Sequence, residues 1–103
     1  MSVMVEFSVV PLGKGVSLSR VVARVLKIVA ESGVSYRANP MGTVLEGTWD
    51  EVLDVVKKCH DEAMRKGGRV VTSIKIDDRK GVQHRMEKKI SSVERKLGLK
   101  LRT

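Results

Sequence analysis

The segment between Thr48 and Gly68 is fenced at both ends by helix signals, and this decides how the rest of the chain can be divided. Thr48-Trp49-Asp50-Glu51 has the capping-box pattern: a Thr hydroxyl able to accept the N–H three residues on, and a Glu able to reach back. Val52, Leu53, Val56, Cys59, Ala63 and Met64 then recur at helical spacing. Arg65 and Lys66 suit the negative end of the helix dipole, and Gly67-Gly68 stops the helix.

On either side the pattern changes to β. Residues 3–10 (VMVEFSVV), 34–39 (VSYRAN), 43–47 (TVLEG) and 69–77 (RVVTSIKID) predict four strands from their β-branched content and flanking turn residues. Pro11-Leu12-Gly13-Lys14-Gly15 is expected to break the first strand, and Asn39-Pro40-Met41-Gly42 to form a turn. Residues 17–32 predict a helix with Ser17 as N-cap, an apolar face of Val21, Val22, Val25, Leu26, Ile28 and Val29, and Gly33 as its stop. Residues 81–97 predict a last helix with Val82, Met86, Ile90, Val93 and Leu97 on one side and Gly98 at its end.

The resulting order is strand, helix, strand, strand, helix, strand, then one more helix. That is an α+β chain: a ferredoxin-like βαββαβ sandwich, with an antiparallel four-stranded sheet, two helices on one face and a C-terminal helix added. Residues 1–103 read as a single domain, without repeat, linker or low-complexity segment.

The net charge of +8 is concentrated at one end: residues 79–103 hold nine Lys/Arg and two acids. Such a segment suits a solvated helix face, or a patch for a polyanion. No apolar run approaches the roughly 18 residues that span a bilayer. The N-terminus lacks a signal-peptide pattern and the single Cys59 has no internal partner, so a cytoplasmic location is expected.

Alternation assigns the strand residues to two faces. Val3, Val5, Phe7, Val9, Leu45, Val70, Thr72, Ile74 and Ile76 form the apolar set that helices should cover. The other face carries Glu6, Ser8, Glu46, Ser73, Lys75 and Asp77 among Val10, Val44 and Val71. With the first strand central, Glu6, Ser8, Glu46 and Lys75 fall in neighbouring columns. This suits a solvated face with cross-strand ion pairs, and equally a polar site or a subunit contact.

Other motifs carry less. Gly13-Lys14-Gly15-Val16-Ser17 lacks both the P-loop and the Rossmann spacing, though a helix start could meet an anion. Cys59 and His60 are adjacent on a helix and His84 stands alone, so no metal site is expected. No base stands beside a nucleophile. Asp77-Asp78-Arg79 could orient a ligand or pair locally, with Asp77 preferred for the site and Asp78 for the structural role. A fold shared with RNA-binding domains raises nucleic acid as a partner, but the polar face has no aromatic on which a base could stack, which argues against that partner.

Glu6-Phe7-Ser8-Val9-Val10-Pro11-Leu12-Gly13, Asn39-Pro40-Met41-Gly42-Thr43-Val44-Leu45-Glu46-Gly47 and Lys75-Ile76-Asp77-Asp78-Arg79, in this order and spacing, resemble the thiamine-binding family of YkoF-like proteins. The resemblance runs from about residue 3 to residue 97. It implies a ferredoxin-like subunit, a dimer of dimers, and binding of thiamine or its hydroxymethylpyrimidine part near the sheet and a subunit interface. It implies no catalysis and no cofactor. On that basis Glu46 is the first choice for the pyrimidine and Glu6 or Asp77 for the thiazolium cation. Ser8, Thr43 and Ser73 would supply neutral hydrogen bonds, Met41 and Tyr36 ring contacts, with Tyr36 equally suited to the core or an interface, and Lys75 a neighbouring charge. Two other readings share the topology: an acylphosphatase-like hydrolase using Arg20 and Asn39, whose signature matches poorly, and a purely structural or regulatory oligomer.

Overall fold

Alternation along the first strand decides the layering. In the computed structural model, which describes residues 2–13, 17–65, 68–81 and 85–103, β1 (Val3–Leu12) buries Val3, Val5, Phe7 and Val9. The strand turns Glu6 and Val10 to the exposed side. The remaining elements are α1 (Leu18–Glu31), β2 (Ser35–Asn39), β3 (Gly42–Gly47), α2 (Trp49–Met64), β4 (Arg69–Asp78) and α3 (Arg85–Leu97). The sheet order is β2-β3-β1-β4 and every pairing is antiparallel, which is the ferredoxin-like arrangement.

The buried face of the sheet meets two helices. Val21, Val25 and Val29 of α1 and Val52, Val55, Val56, Cys59 and Ala63 of α2 complete a core with Val5, Phe7 and Leu45. Each fully buried aliphatic side chain stabilises the fold by about 1.5–3 kcal/mol. The capping box forms as the sequence requires: Thr48 Oγ1 accepts from the Glu51 N–H at 3.3 Å, and Glu51 Oε1 accepts from the Thr48 N–H at 3.1 Å. These bonds from Thr48 hold the Glu51 carboxyl below its ordinary pKa.

Several boundaries move. β1 runs two residues past its expected end, through Pro11 and Leu12. β3 pairs with β1 only over Val3–Phe7, so the rest of β1 has β4 alone beside it. A proline is tolerated where one edge of a strand is free. Ser17 precedes α1, but its side chain makes no capping bond. α1 closes one residue early, with Ser32 Oγ donating to the Val29 carbonyl and Gly33 taking φ +80°. Gly42 begins β3 where a Cβ would stand 3.1 Å from the Phe7 carbonyl oxygen, so a side chain there would have to push the hairpin slightly away from β1. Lys14, Gly15 and Val16 of the loop read as an anion site lie outside the described residues. So do Lys66 and Gly67 of the expected α2 end, and Val82 and His84.

β4 is an edge strand. Ile74 and Ile76 share a face with Phe7 and Val5, as expected, yet they remain 47% and 41% exposed. α2 does reach β4, where His60 pairs with Thr72, but the two isoleucines remain only partly covered.

The second face is not left open, and this corrects the sequence reading. α3 lies across it at the row formed by Met4, Glu46 and Asp77. Arg85 and Met86, at the start of α3, are buried there.

Candidate functional site

Strand register builds the site before any helix is added. Across the second face, Arg37 of β2, Val44 of β3, Glu6 of β1 and Lys75 of β4 are direct neighbours in one row. The adjacent row is Ser35, Glu46, Met4 and Asp77. On the other side of Glu6, Ser8 stands opposite Ser73.

α3 is anchored onto the second of these rows by its first turn. Glu46 Oε2 accepts the Arg85 backbone N–H at 2.7 Å. This places a buried carboxylate at the positive end of the helix, where it satisfies an N–H that the helix itself cannot. The Arg85 guanidinium donates to the Asp77 carbonyl at 3.0 Å and pairs with the Asp77 carboxylate. Lys89 reaches the same carboxylate at 2.9 Å. Hydrogen bonds from Arg85 first, and Lys89 second, hold the Asp77 carboxyl well below the usual carboxylate range. The pairing with Asp77 raises the Arg85 pKa in turn.

Between this anchored helix and the uncovered row lies a cleft of about 390 Å³. Met4 and Val44 from the sheet and Met86 and Ile90 from α3 give it apolar surfaces. Glu6, Lys75 and Asp77 line it from the sheet, and Arg37 and Asn39 from β2. Lys89, Arg102 and Thr103 complete it. A shallower depression of about 120 Å³ continues along β1 and β4, and shares Glu6 and Lys75 with Ser8, Ser73 and Met41. An apolar recess with a few converging polar groups is the usual form of a small-molecule site.

The family model described as "Thiamine-binding protein" matches residues 5–94. This chain belongs to that thiamine-binding protein family. UPF0045 protein MJ1052 of Methanocaldococcus jannaschii is 38% identical over 91 residues, covering 88% of this chain and 91% of that protein. UPF0045 protein Mb1933 of Mycobacterium bovis is 41% identical over 98 residues, covering 94% and 96%. Among solved structures, that of hypothetical protein MJ1052 superposes with a TM-score of 0.81 over 89% of this chain and 95% of its own. A Thermotoga maritima protein described as a candidate for thiamine biosynthesis or salvage is 28% identical, with a TM-score of 0.78 over 90% and 99%.

Within this thiamine-binding family member the expected site residues separate into three groups. Glu6, Lys75 and Asp77 meet in the cleft, and Ser8, Ser73 and Met41 in its shallow continuation. Glu46 is buried beneath α3 with its Oε2 engaged by Arg85, which corrects its placement on an open face. Thr43 and Tyr36 are neighbours of Phe7 and Leu45 in the strand register, so both lie on the helix-covered side and neither lines the cleft. Thr43 is buried there, whereas Tyr36 is 42% exposed. Asp77 combines local pairing, with Arg85 and Lys89, with lining the cleft, and Asp78 adds a more distant charge interaction with Arg85.

The sequence reading missed Met4, Arg37, Met86, Lys89, Ile90 and Arg102 as lining residues. A signal for Arg37 was present, because alternation in β2 sets Ser35, Arg37 and Asn39 against Tyr36. A signal for Met86 and Ile90 was their spacing along the last helix. Arg20, the loose hydrolase candidate, is exposed on α1, on the far side of the sheet from the cleft. Cys59 is buried with its Sγ toward the Val25 carbonyl at 3.7 Å, and burial pushes its thiol up to about 11.

Proposed function

We propose that this protein binds a thiamine-type ligand, thiamine or its hydroxymethylpyrimidine part, in the cleft between the sheet and α3, without chemistry on it. The observation that carries this reading is the cleft itself, an apolar recess of about 390 Å³ with the exposed carboxylate of Glu6 on its floor. Membership of the thiamine-binding family supports the ligand class. Glu6 accepts the amino hydrogens of an aminopyrimidine or offsets a thiazolium charge. Lys75 and Asp77 border the same recess, and Ser8 and Ser73 extend it with neutral hydroxyls. Glu46 serves the ligand indirectly, by holding the first turn of α3 in place.

The subunit assembles as a dimer of dimers in the cytoplasm. β4 supports self-association, since it is a ten-residue edge with Val71, Ile74 and Ile76 exposed. A long apolar edge invites pairing with another strand. On α3 and just beyond, Val93, Leu97 and Leu99 are also exposed. Among the described residues no helix is long and apolar enough to cross a membrane.

Calorimetric titration tests the ligand class. Thiamine or hydroxymethylpyrimidine should bind the wild-type protein at micromolar concentration or tighter. Glu6→Gln should weaken that binding by about tenfold or more, as expected for a lost charge-assisted hydrogen bond. No heat from either compound, with a folded and ligand-free protein, would remove the reading and leave a purely interfacial role.

A further inference from the structure

The walls of the cleft are electrically unbalanced. Arg37 from β2, Lys75 from β4, Lys89 from α3 and Arg102 from the segment after α3 all line it. Glu6 and Asp77 are the acidic side chains that line it among the described residues. Asp77 is already shared by Arg85 and Lys89 and stays ionised. Glu6 faces Lys75 directly across the β1–β4 ladder. Arg37 and Arg102 have no hydrogen-bond or ion-pair partner among the described residues.

Arg102 reaches the cleft because the chain reverses after α3. Gly98 takes φ +71°, and the Leu101 N–H donates to Glu94 Oε2 at 2.5 Å, folding the segment back toward the helix. Two guanidinium groups, one from the sheet and one from this returning segment, thus border one recess. A guanidinium presents a planar fork of donors that matches a phosphate, and it is less strongly hydrated than an ammonium group. A bare thiazolium cation entering this recess meets an excess of like charge. A ligand with a phosphate group reverses that interaction.

We infer that the cleft selects an anionic ligand, a phosphate ester of the heteroaromatic compound, with Arg37 and Arg102 holding the phosphate and the apolar surfaces holding the ring. This rests on the proposed reading of the cleft as a thiamine-type site and states which charge form it takes.

The test compares thiamine, thiamine monophosphate, thiamine diphosphate and inorganic pyrophosphate by calorimetry. Wild type and the Arg37→Gln/Arg102→Gln double variant are titrated at low and high salt, after circular dichroism shows both folded. The expected result is binding of the phosphate esters at least about tenfold tighter than free thiamine. That preference should shrink as salt rises and vanish in the double variant. Equal or tighter binding of free thiamine by wild type would overturn the inference while leaving the thiamine reading intact. A preference for the esters that survives in the double variant would overturn the role of the two arginines. Pyrophosphate binding as tightly as thiamine diphosphate would overturn the inference too, because the ring would then contribute nothing. Absence of binding by every thiamine compound would overturn the inference and the reading beneath it together.

Discussion

One sheet presents two surfaces of opposite character, and the same strands supply both. On the helix-covered side Val5, Phe7 and Leu45 pack to almost complete burial against α1 and α2. On the other side, one residue along each strand, Met4, Glu6, Val44 and Lys75 leave a recess that a single helix covers in part. The first surface is filled mainly by apolar contact, with a few polar pairs such as His60 with Thr72 and Arg24 with Glu62. The second is assembled by a few polar anchors at the start of α3: Glu46, Asp77, Arg85 and Lys89. The difference teaches a division of labour. Contact area holds the sandwich together, whereas local charge pairing sets the shape of the cleft. A cleft built in that way can be altered without unfolding the domain.

Leu45→Ala should break the comparison from the core side. Leu45 is fully buried, and removing its side chain should destabilise the fold by about 2–5 kcal/mol, measured by urea unfolding. An effect below about 1 kcal/mol would show that the helix-covered side is not the main source of stability.

Cys59 gives a second, pH-dependent measure of the same layer. Its thiol is pushed up to about 11 by burial, whereas an unfolded chain ionises near pH ~8.5. The folded state therefore retains a proton that the unfolded state loses. Stability should be level below about pH 8.5 and decline as pH rises toward the folded value. Ellman's reagent should react with the native protein far more slowly than with the urea-unfolded chain. Equal rates would mean that the α1–α2 layer opens readily.

Asp77→Asn should have the smallest effect on global unfolding and the most local one. It removes the carboxylate shared by Arg85 and Lys89, so amide hydrogen exchange in α3 should accelerate while β1 and α2 stay protected. A loss of stability as large as that of Leu45→Ala would erase the distinction between the two faces. The depressed pKa of Asp77 also fixes a direction with pH. Its contribution is present in full above the ordinary carboxylate value of about 3.9 and declines progressively as pH falls from there through the lower folded value.

Much of this organisation was legible in the chain. The Thr48–Glu51 capping box formed as written, and alternation in β1 separated Val5 and Phe7 from Glu6 and Ser8. Alternation fixes a face, but it says nothing of what lies on that face. Glu46 read as an exposed carboxylate, because no local pattern reveals that Arg85, thirty-nine residues later, will donate a backbone N–H to it. Tyr36 and Thr43 have side chains suited to a ligand, but the register of β2 and β3 places them on the side away from the cleft, which for Tyr36 agrees with its alternative reading as a core or interface residue. Arg37 carries only the weak signal of alternation within a five-residue strand. Pro11 was read as a strand end, since the early finish of β3 that tolerates it is a property of the whole sheet.

The placement of the basic segment gives the molecule a polarity. Most of the net charge of +8 resides in residues 79–103, and α3 carries it to the side of the sheet away from α1 and α2. The domain is thus an electrical dipole whose positive pole is the cleft side. Two copies approaching pole to pole repel each other over about a Debye length, while copies joining along the β4 edges keep those poles side by side. Stacking such pairs through the charged side requires counterions between them, so dilution of salt should dissociate a stacked assembly before it separates an edge-joined pair.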